Sequence, residues 1–443
     1  AVLLHPASEG RTVRCIRRAR WHDAWVGSAE RDAGDSASVT PRPYQIVGAE
    51  FLAARTRALL ADQMRVGKTP QAIMAADKLG AERVLVLCPA IACYQWREQW
   101  YEWSPTRLPY ILGKEPVSHD FTGVLIASYN RAVQHQERLT TGPRWDVLIV
   151  DEAHFAKSPD AQRTKLSYGK GGVGWNATCI WALTGTPAPN HAGELWPMLR
   201  AFGAVKIDYK TFINHFCYYD WKTDRVYGNR PDKLVELRAL LAPFTLRRTL
   251  ADVAPDMPRI AYNLFAVEPQ PGIDLRSDNP DDVDTEDRIA VALAKAPELA
   301  KEIEDNLLVR NYRQTVVFGY HVDPLKALGE MLTAAGYDVS VITGATPLPQ
   351  REGKQAAFKA GVCQVLICQM LAAGTAIDLS AAQHGYFLEL DYVPDRNAQA
   401  AHRLVNVATG LPVTFDVLTW PGTKDDQVQR TLLRKVRSAV FKS

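Results

Sequence analysis

The sequence lacks any apolar stretch long enough to cross a membrane. The longest, V-L-V-L-C-P-A-I-A-C-Y from Val84, falls far short of the ~20 residues that a membrane helix needs. The short N-terminal run A-V-L-L is followed, rather than preceded, by basic residues, which is not typical of a secretory signal. We therefore expect a cytoplasmic protein that makes no membrane contact.

Paired cysteines and metal-ligand spacings are also missing. The seven cysteines are odd in number and include no C-x-x-C, and the ten histidines include no H-E-x-x-H. These absences argue against a disulfide framework and against a zinc ribbon or zinc protease. An excess of charge of one sign is missing too, because the chain has 52 basic and 49 acidic residues. A net charge of +3 identifies no nucleic-acid partner by itself, so any such partner has to be argued from sites.

What the 443 residues do contain is a repeated alternation of short apolar runs with amphipathic stretches. Runs such as R-V-L-V-L-C-P, G-V-L-I-A-S-Y and D-V-L-I-V-D, and later Q-T-V-V-F-G-Y and C-Q-V-L-I-C, are typical of buried parallel strands separated by helices. The pattern predicts an α/β protein with two lobes, each built on its own parallel sheet. We predict a basic appendage and linker at 1–40, a first lobe at 41–254, an exposed connector at 255–310 and a second lobe at 311–443.

The segment A-D-Q-M-R-V-G-K-T-P-Q follows the first predicted strand and carries the strongest local signal. Gly67, Lys68 and Thr69 open a helix there, so backbone N–H groups and the positive end of the helix dipole would face phosphate oxygens. Lys68 would reach the β- and γ-phosphates, and Thr69 would bind Mg²⁺. The strict P-loop pattern needs a glycine at Asp62, so an ordinary helix start remains an alternative for this motif alone.

Two adjacent carboxylates follow another predicted strand, in D-V-L-I-V-D-E-A-H. Ligands bind at the carboxyl ends of strands in open α/β sheets, so Asp151 would bind the Mg²⁺ of a nucleotide and Glu152 would polarise the attacking water. A solvated acidic strand end is the alternative. The next strand leads into L-T-G-T-P, whose Thr184 and Thr186 hydroxyls suggest a relay from the nucleotide to the second lobe.

Taken in order, these segments resemble the motifs of a known family. P-R-P-Y-Q-I-V-G-A-E-F-L, L-A-D-Q-M-R-V-G-K-T-P-Q, D-E-A-H-F-A-K-S, L-T-G-T-P-A-P-N and, later, A-A-G-T-A-I-D-L-S-A-A and Q-A-A-H-R-L-V-N-V are similar to those of the Swi/Snf-type ATPases of helicase superfamily two. The spacing is closest to the HepA-related annealing-helicase branch. The resemblance implies a P-loop NTPase of two RecA-like lobes that hold ATP and Mg²⁺ between them. It also implies a monomeric, helicase-like translocase that grips double-stranded or forked DNA, in a bacterial or viral-in-host cytoplasm.

The resemblance also assigns roles to individual residues. It places at the nucleotide Gln45, Arg65, Gly67, Lys68, Thr69, Asp151, Glu152, His154, Gly374, Gln399, Arg403 and Asn406. It places on nucleic-acid phosphates Ser128, Tyr129, Lys157, Thr343, Gly344, Arg351 and Thr375. Gln45 would read the adenine and His154 would couple the lobes.

Three residues depart from the family pattern. Asn406 stands where the family has an arginine finger, Arg65 where glycine is usual and Asp378 where asparagine is usual. An arginine finger contributes roughly 10³–10⁵ in rate, so Asn406 leaves turnover open. The alternative function is a nucleotide-gated DNA-binding or remodelling accessory protein with weak or no hydrolysis. Separately, Trp96, Trp100 and Trp103 share one helix face, for which core packing is favoured over base stacking.

Overall fold

The computed structural model describes residues 40–105, 107–255, 260–267, 285–308, 313–370, 378–406 and 409–437. The predicted appendage therefore lies outside the described residues except for Thr40, and so do Gly374 and Thr375.

Seven strands form the first sheet, in the order β3-β4-β2-β5-β6-β1-β9, and every neighbouring pair is parallel. A separate antiparallel hairpin, β7-β8, belongs to the same lobe. The strands are β1 (Arg57–Leu60), β2 (Arg83–Cys88), β3 (Pro109–Ile111), β4 (Gly123–Ser128), β5 (Trp145–Asp151), β6 (Ala177–Leu183), β7 (Cys217–Asp220), β8 (Arg225–Asn229) and β9 (Thr245–Leu246).

Helices cover both faces of this sheet, because its strands are apolar on both sides. They are α1 (Pro43–Ala53), α2 (Lys68–Lys78), α3 (Ala92–Trp103), α4 (Tyr129–Gln134), α5 (Gln136–Thr141), α6 (Gln162–Tyr168), α7 (Trp196–Ala201), α8 (Tyr209–Phe216), α9 (Leu234–Leu241) and α10 (Leu250–Val253). Short 3₁₀ turns lie at Ala153–Ala156, Val173–Asn176, Ala192–Leu195, Pro231–Lys233 and Ala242–Phe244.

The second sheet has six parallel strands in the order β10-β15-β14-β11-β13-β12. These are β10 (Ala261–Ala266), β11 (Thr315–Gly319), β12 (Val339–Ile342), β13 (Val365–Gln369), β14 (His384–Phe387) and β15 (Thr414–Thr419). The helices are α11 (Thr285–Leu308), α12 (Val322–Ala334), α13 (Leu348–Lys359), α14 (Pro394–His402) and α15 (Lys424–Arg437). The predicted α/β fold with two parallel sheets is confirmed.

The predicted connector at 255–310 differs from what the structure describes there. β10 pairs along its length with β15, and α11 packs its buried face, including Leu299 and Ile303, on the second sheet. Most of the acidic segment that suggested a connector lies outside the described residues, within 268–284. We propose that the second lobe begins at Ala261.

The tryptophan stripe of α3 lies in the core, as predicted. Trp96 and Trp100 are 2% and 0% exposed, and Trp103 packs partly buried on the same cluster. The six cysteines of the described residues are buried and free. None of the described helices is long and apolar enough to cross a bilayer.

Candidate active site

The phosphate loop connects β1 to α2 and has a tightly constrained backbone. Gly67 adopts a left-handed conformation at φ 80°, and a Cβ there would lie 2.6 Å from Nε2 of Gln45. Only glycine fits both constraints. Gln45, which is buried, thus lies directly against the loop, while its Oε1 accepts a hydrogen bond from the Arg42 backbone N–H at 2.9 Å. Its predicted role in reading the adenine remains a prediction.

Asp62, where the strict pattern has glycine, is fully buried and holds the loop from beneath. Its carboxylate accepts hydrogen bonds from the backbone N–H of Arg248 at 2.9 Å and from Nε2 of Gln71 at 3.2 Å. The Arg248 guanidinium also pairs with this carboxylate and donates to Oε1 of Gln71 at 2.7 Å. The network connects the loop, α2 and the segment after β9. Asp62 therefore has a structural role and would not contact the phosphates.

Lys68 begins α2 and folds back over the loop. Its Nζ donates to the carbonyl oxygens of Asp62 at 2.9 Å and Gln63 at 3.4 Å. Burial lowers the pKa of Lys68, and the nearby carboxylates of Glu152, Asp62 and Asp151 oppose that shift. The amine is thus hydrogen-bonded to backbone carbonyl oxygens. Phosphate oxygens can replace these carbonyl groups as its partners. Thr69 follows it, half-buried, in the first turn of the helix.

Asp151 and Glu152 end β5 at the same edge of the sheet. Asp151 Oδ2 accepts a hydrogen bond from Nε1 of Trp96 at 2.7 Å, and Oδ1 accepts from the Glu152 backbone N–H at 2.9 Å. Burial raises the pKa of Asp151 to about 6, with a further contribution from the Glu152 charge. The contact with Trp96 was missed at the sequence level, because a stripe of tryptophans shows only which helix face is buried.

Glu152 itself has left-handed backbone, at φ 47°, which turns its side chain into the cleft. Burial opposes its ionisation, but the nearby ring and charge of His154, together with Lys68 and Arg403, lower its pKa below the usual value. Its buried Oε2 has no hydrogen-bond partner among the described residues and lies 3.3 Å from Nδ1 of His154. An ionised carboxylate with spare acceptor capacity suits activation of a water molecule.

His154 connects the acidic motif to the L-T-G-T-P segment. Its Nδ1 lies 3.1 Å from Oγ1 of Thr184 and 3.4 Å from Oγ1 of Thr186. These are contacts within the first lobe, so His154 reaches the second lobe only through Glu152. Its predicted role in coupling the lobes remains a prediction.

The second lobe reaches this cluster from α14. Nε2 of Gln399 lies 3.4 Å from Oε1 of Glu152. Burial, followed by the charge of Arg65, lowers the pKa of Arg403 to about 10, and Glu152 and Asp378 oppose this shift. Gln399 and Arg403 therefore lie beside the first-lobe acid, as predicted. Asn406, four residues after His402, accepts a local hydrogen bond from the Thr409 backbone N–H at 3.3 Å.

Arg65 joins the lobes in a way that the sequence did not indicate. From the phosphate loop, where it has φ 66°, its guanidinium donates to the carbonyl oxygens of His402 at 2.9 Å and Arg403 at 2.8 Å. It also lies 3.6 Å from Asp378, which pairs with Lys359 at 2.9 Å. The two charged departures from the family pattern thus face each other across the cleft. Paired departures of opposite charge were the signal that could have revealed the contact.

The residues present fit a Mg²⁺-bound nucleoside triphosphate. A helix N-terminus and Lys68 face Asp151 and the unpartnered Oε2 of Glu152, and Gln45 lies beside the loop. Among the described residues, no group of three or more His, Cys, Asp and Glu side chains could hold a metal ion alone. That is the expected pattern where phosphates supply most of the Mg²⁺ ligands.

Two of the predicted nucleic-acid contacts have buried side chains. Ser128 and Tyr129 are 8% and 4% exposed. The Ser128 hydroxyl caps α4 by accepting from the Arg131 backbone N–H at 3.3 Å, and the Tyr129 hydroxyl donates to the Asp151 carbonyl at 2.7 Å. Their side chains support the fold of the first lobe, and their role on nucleic acid remains a prediction.

The other described candidates lie in loops or, for Arg351, in the first turns of α13, and they have partners of their own. Lys157 pairs with Glu194 at 2.7 Å. Arg351 donates to the carbonyl oxygens of Thr343 at 3.1 Å and Gly344 at 2.9 Å, which closes the turn after β12. A phosphate would have to displace these contacts, so their role on nucleic acid remains a prediction.

Comparison with known proteins agrees with this geometry. A family model described as the SNF2-related domain matches residues 44–272, and one described as the helicase conserved C-terminal domain matches 295–407. A Drosophila melanogaster protein named "SWI/SNF-related matrix-associated actin-dependent regulator of chromatin subfamily A-like protein 1" is 25% identical over 90% of this chain and 56% of its own length.

Two further matches are a mouse protein and a solved structure. The mouse "DNA annealing helicase and endonuclease ZRANB3" is 27% identical over 89% of this chain and 40% of its own length. The structure "Sulfolobus solfataricus SWI2/SNF2 ATPase core in complex with dsDNA" aligns with a TM-score of 0.46 and 21% identity, over 90% of this chain and 91% of that one. The chain spans about half the length of the curated relatives it matches. Because the first family model covers more than half of the sequence, the chain belongs to the SNF2-related family of helicase-like ATPases.

Proposed function

We propose that this chain is a DNA-dependent ATPase that moves along duplex DNA. The observation that carries the proposal is the position of Glu152. Its carboxylate lies between Lys68 of the phosphate loop, His154 and Gln399 of the opposite lobe, so one acid is contacted from both sides of the cleft. Bound Mg²⁺ would neutralise phosphate charge, and Thr69 and Asp151 are the residues placed to hold it.

The roles of the chain's own groups follow from their positions. Lys68 exchanges its carbonyl partners for the β- and γ-phosphate oxygens, and Glu152 orients the attacking water and takes its proton. Gln399 and Arg403 complete the site only while the lobes are closed, because both belong to the second lobe. The lobes would open and close with each turnover, and each lobe would in turn shift its contacts along the DNA backbone.

The test is ATPase activity measured with duplex, forked and single-stranded DNA, and without DNA. We expect duplex or forked DNA to raise the rate well above basal and Lys68→Ala to abolish it. Lys78→Ala, which removes an exposed lysine from the far end of the same helix, is the matched control. Equal rates under all four conditions would reject the translocase.

A nucleotide-gated accessory protein is the second candidate, and Asn406 is the observation that favours it. The cleft holds two other guanidinium groups, however. Arg403 is buried beside Glu152, and Arg65 extends from the phosphate loop itself. We propose that these two arginines supply the positive charge that Asn406 does not, so the ATPase is preferred over the accessory protein.

A further inference from the structure

The first lobe contains a cavity of about 600 Å³ that none of the cleft residues lines. It lies between α6, the 3₁₀ turn at Val173–Asn176 and α7, and it reaches Arg57 at the start of β1. The phosphate loop follows the opposite end of that strand. A volume of this size accommodates a ligand as large as a nucleotide.

Every charged side chain that lines the cavity is a cation. These are Arg57, Lys165, Lys170 and Arg200, and no aspartate or glutamate lines it. None of the four has a carboxylate partner within 4 Å among the residues that the structure describes. In a chain with nearly equal numbers of acidic and basic residues, four cations converge here without acids. The site therefore selects an anion.

Aromatic rings supply the second feature. Trp175 is 61% exposed at the cavity, which leaves a large apolar ring facing water. Trp196 lies in the wall, fixed by a hydrogen bond from its Nε1 to the Ile207 carbonyl at 3.0 Å, with Arg200 5.7 Å from the ring centre. An exposed tryptophan beside cations is a stacking surface for a planar ring that is attached to a negatively charged group.

We propose that this cavity is a second ligand site, which binds a nucleotide unit by phosphate contacts to Lys165 and Lys170 and by base stacking on Trp175. The unit can be a free nucleotide or part of a nucleic-acid strand, since both present the same phosphate and base. The N-terminal segment 11–20, with five arginines and no acid, has the wrong charge to occupy the site. The proposal does not depend on hydrolysis in the cleft.

The test is calorimetric titration with two probes, thymidine 5′-monophosphate and a 5′-phosphorylated thymidine octamer. We expect the double variant Lys165→Glu, Lys170→Glu to weaken binding at least tenfold, and Trp175→Ala at least about fivefold. The matched control is Trp221→Ala with Lys222→Glu, an exposed tryptophan–lysine pair on the β7-β8 hairpin. It should leave binding unchanged.

Each outcome decides a separate point. Binding of the octamer alone assigns the site to a strand, and equal binding of the monophosphate assigns it to free nucleotides. Unchanged binding in all cavity variants overturns the proposal, as does failure of both probes to bind. If charge reversal prevents cooperative unfolding, Trp175→Ala gives the answer alone. Failure of DNA to stimulate the ATPase would reject the proposed function and leave this site standing.

Discussion

Each lobe has a glutamate just after a central strand, and the two carboxylates differ in their hydrogen bonding. Glu152 follows β5 and keeps a buried oxygen without a hydrogen-bond partner. Glu389 follows β14 and is 3% exposed, but it accepts from the backbone N–H groups of Tyr320 at 3.1 Å and His321 at 2.9 Å. The ring of His321 contacts its other oxygen at 2.7 Å.

The difference shows that position on a sheet edge does not make an acid catalytic. Glu389 has all its acceptor capacity occupied by its own lobe, whereas Glu152 contacts the other lobe through Gln399. In the proposed mechanism the first lobe therefore carries the chemistry, and the second contributes groups that depend on closure.

The largest expected effect tests this contrast directly. Glu152→Gln should lower the ATPase rate by about 10²–10⁴-fold, because an amide cannot accept the proton of water, with little change in the free energy of unfolding. Glu389→Gln should do the reverse, keeping activity while lowering stability by about 1–3 kcal/mol, because its amide group would face backbone donors. Steady-state kinetics and urea unfolding measure both. A large loss of turnover in a stable Glu389→Gln protein would break the comparison.

A smaller effect is expected where the lobes touch. Arg65→Gln keeps a non-glycine residue at this left-handed position but removes the guanidinium, with its charge and its hydrogen bonds to the second lobe, and it should lower kcat about tenfold if Arg65 contributes to the site. Asn406→Arg should then change kcat by less than about tenfold. Asp378→Asn is the matched control, since it removes the ion-pair partner and leaves Arg65 in place.

The reverse result would be equally informative. If Asn406→Arg restores hydrolysis to a chain that binds ATP and DNA but barely turns over, the accessory protein is correct. Arg65 would then be a structural contact between the lobes.

The smallest expected effect concerns pH. Burial, with the charges of Arg65 and Lys68, lowers the pKa of His402 to about 4, against an ordinary value of 6.5. Its Nε2 lies 3.2 Å from Nε2 of Gln63 across the cleft. The unfolded chain takes up the proton first as the pH falls, so stability is complete above pH 6.5 and declines towards pH 4.

The contribution of His402 should amount to about 1–3 kcal/mol, measured as the difference between the wild type and His402→Gln in thermal unfolding of the nucleotide-free protein across that range, because the raised pKa of Asp151 shifts stability in the opposite direction in both proteins. His402→Gln should flatten this part of the profile. An unchanged slope in that variant would show that the contact is too loose to exclude water.

Sequence reasoning succeeded where the signal was local. Apolar runs located the parallel strands, and the residues that follow β1 and β5 lie together because the carboxyl ends of parallel strands share an edge. It failed where contacts join distant parts of the chain. Asp62 and Arg248 are 186 residues apart, and Arg65 and Arg403 are 338 apart. No local pattern in a single sequence pairs residues across such distances, and the opposite charges of two departures from the family pattern, Arg65 and Asp378, were the one signal of such a contact. The burial of Tyr129 also depends on a contact that strand and helix patterns do not show, with Asp151, 22 residues away.

The position of β1 within its sheet has a consequence for how the chain is made. β1 pairs only with β6 and β9, so Arg57 lies against Ile180 and Leu60 against Leu246. During synthesis, the strand that precedes the phosphate loop has both of its neighbours only after more than half of the chain has been made. We expect the β2-β4-β5 unit to fold first and β1 to join late, as a slow step that closes a long loop. A ribosome that stalls before residue 246 would leave an open strand edge exposed to aggregation beside the unfinished nucleotide site.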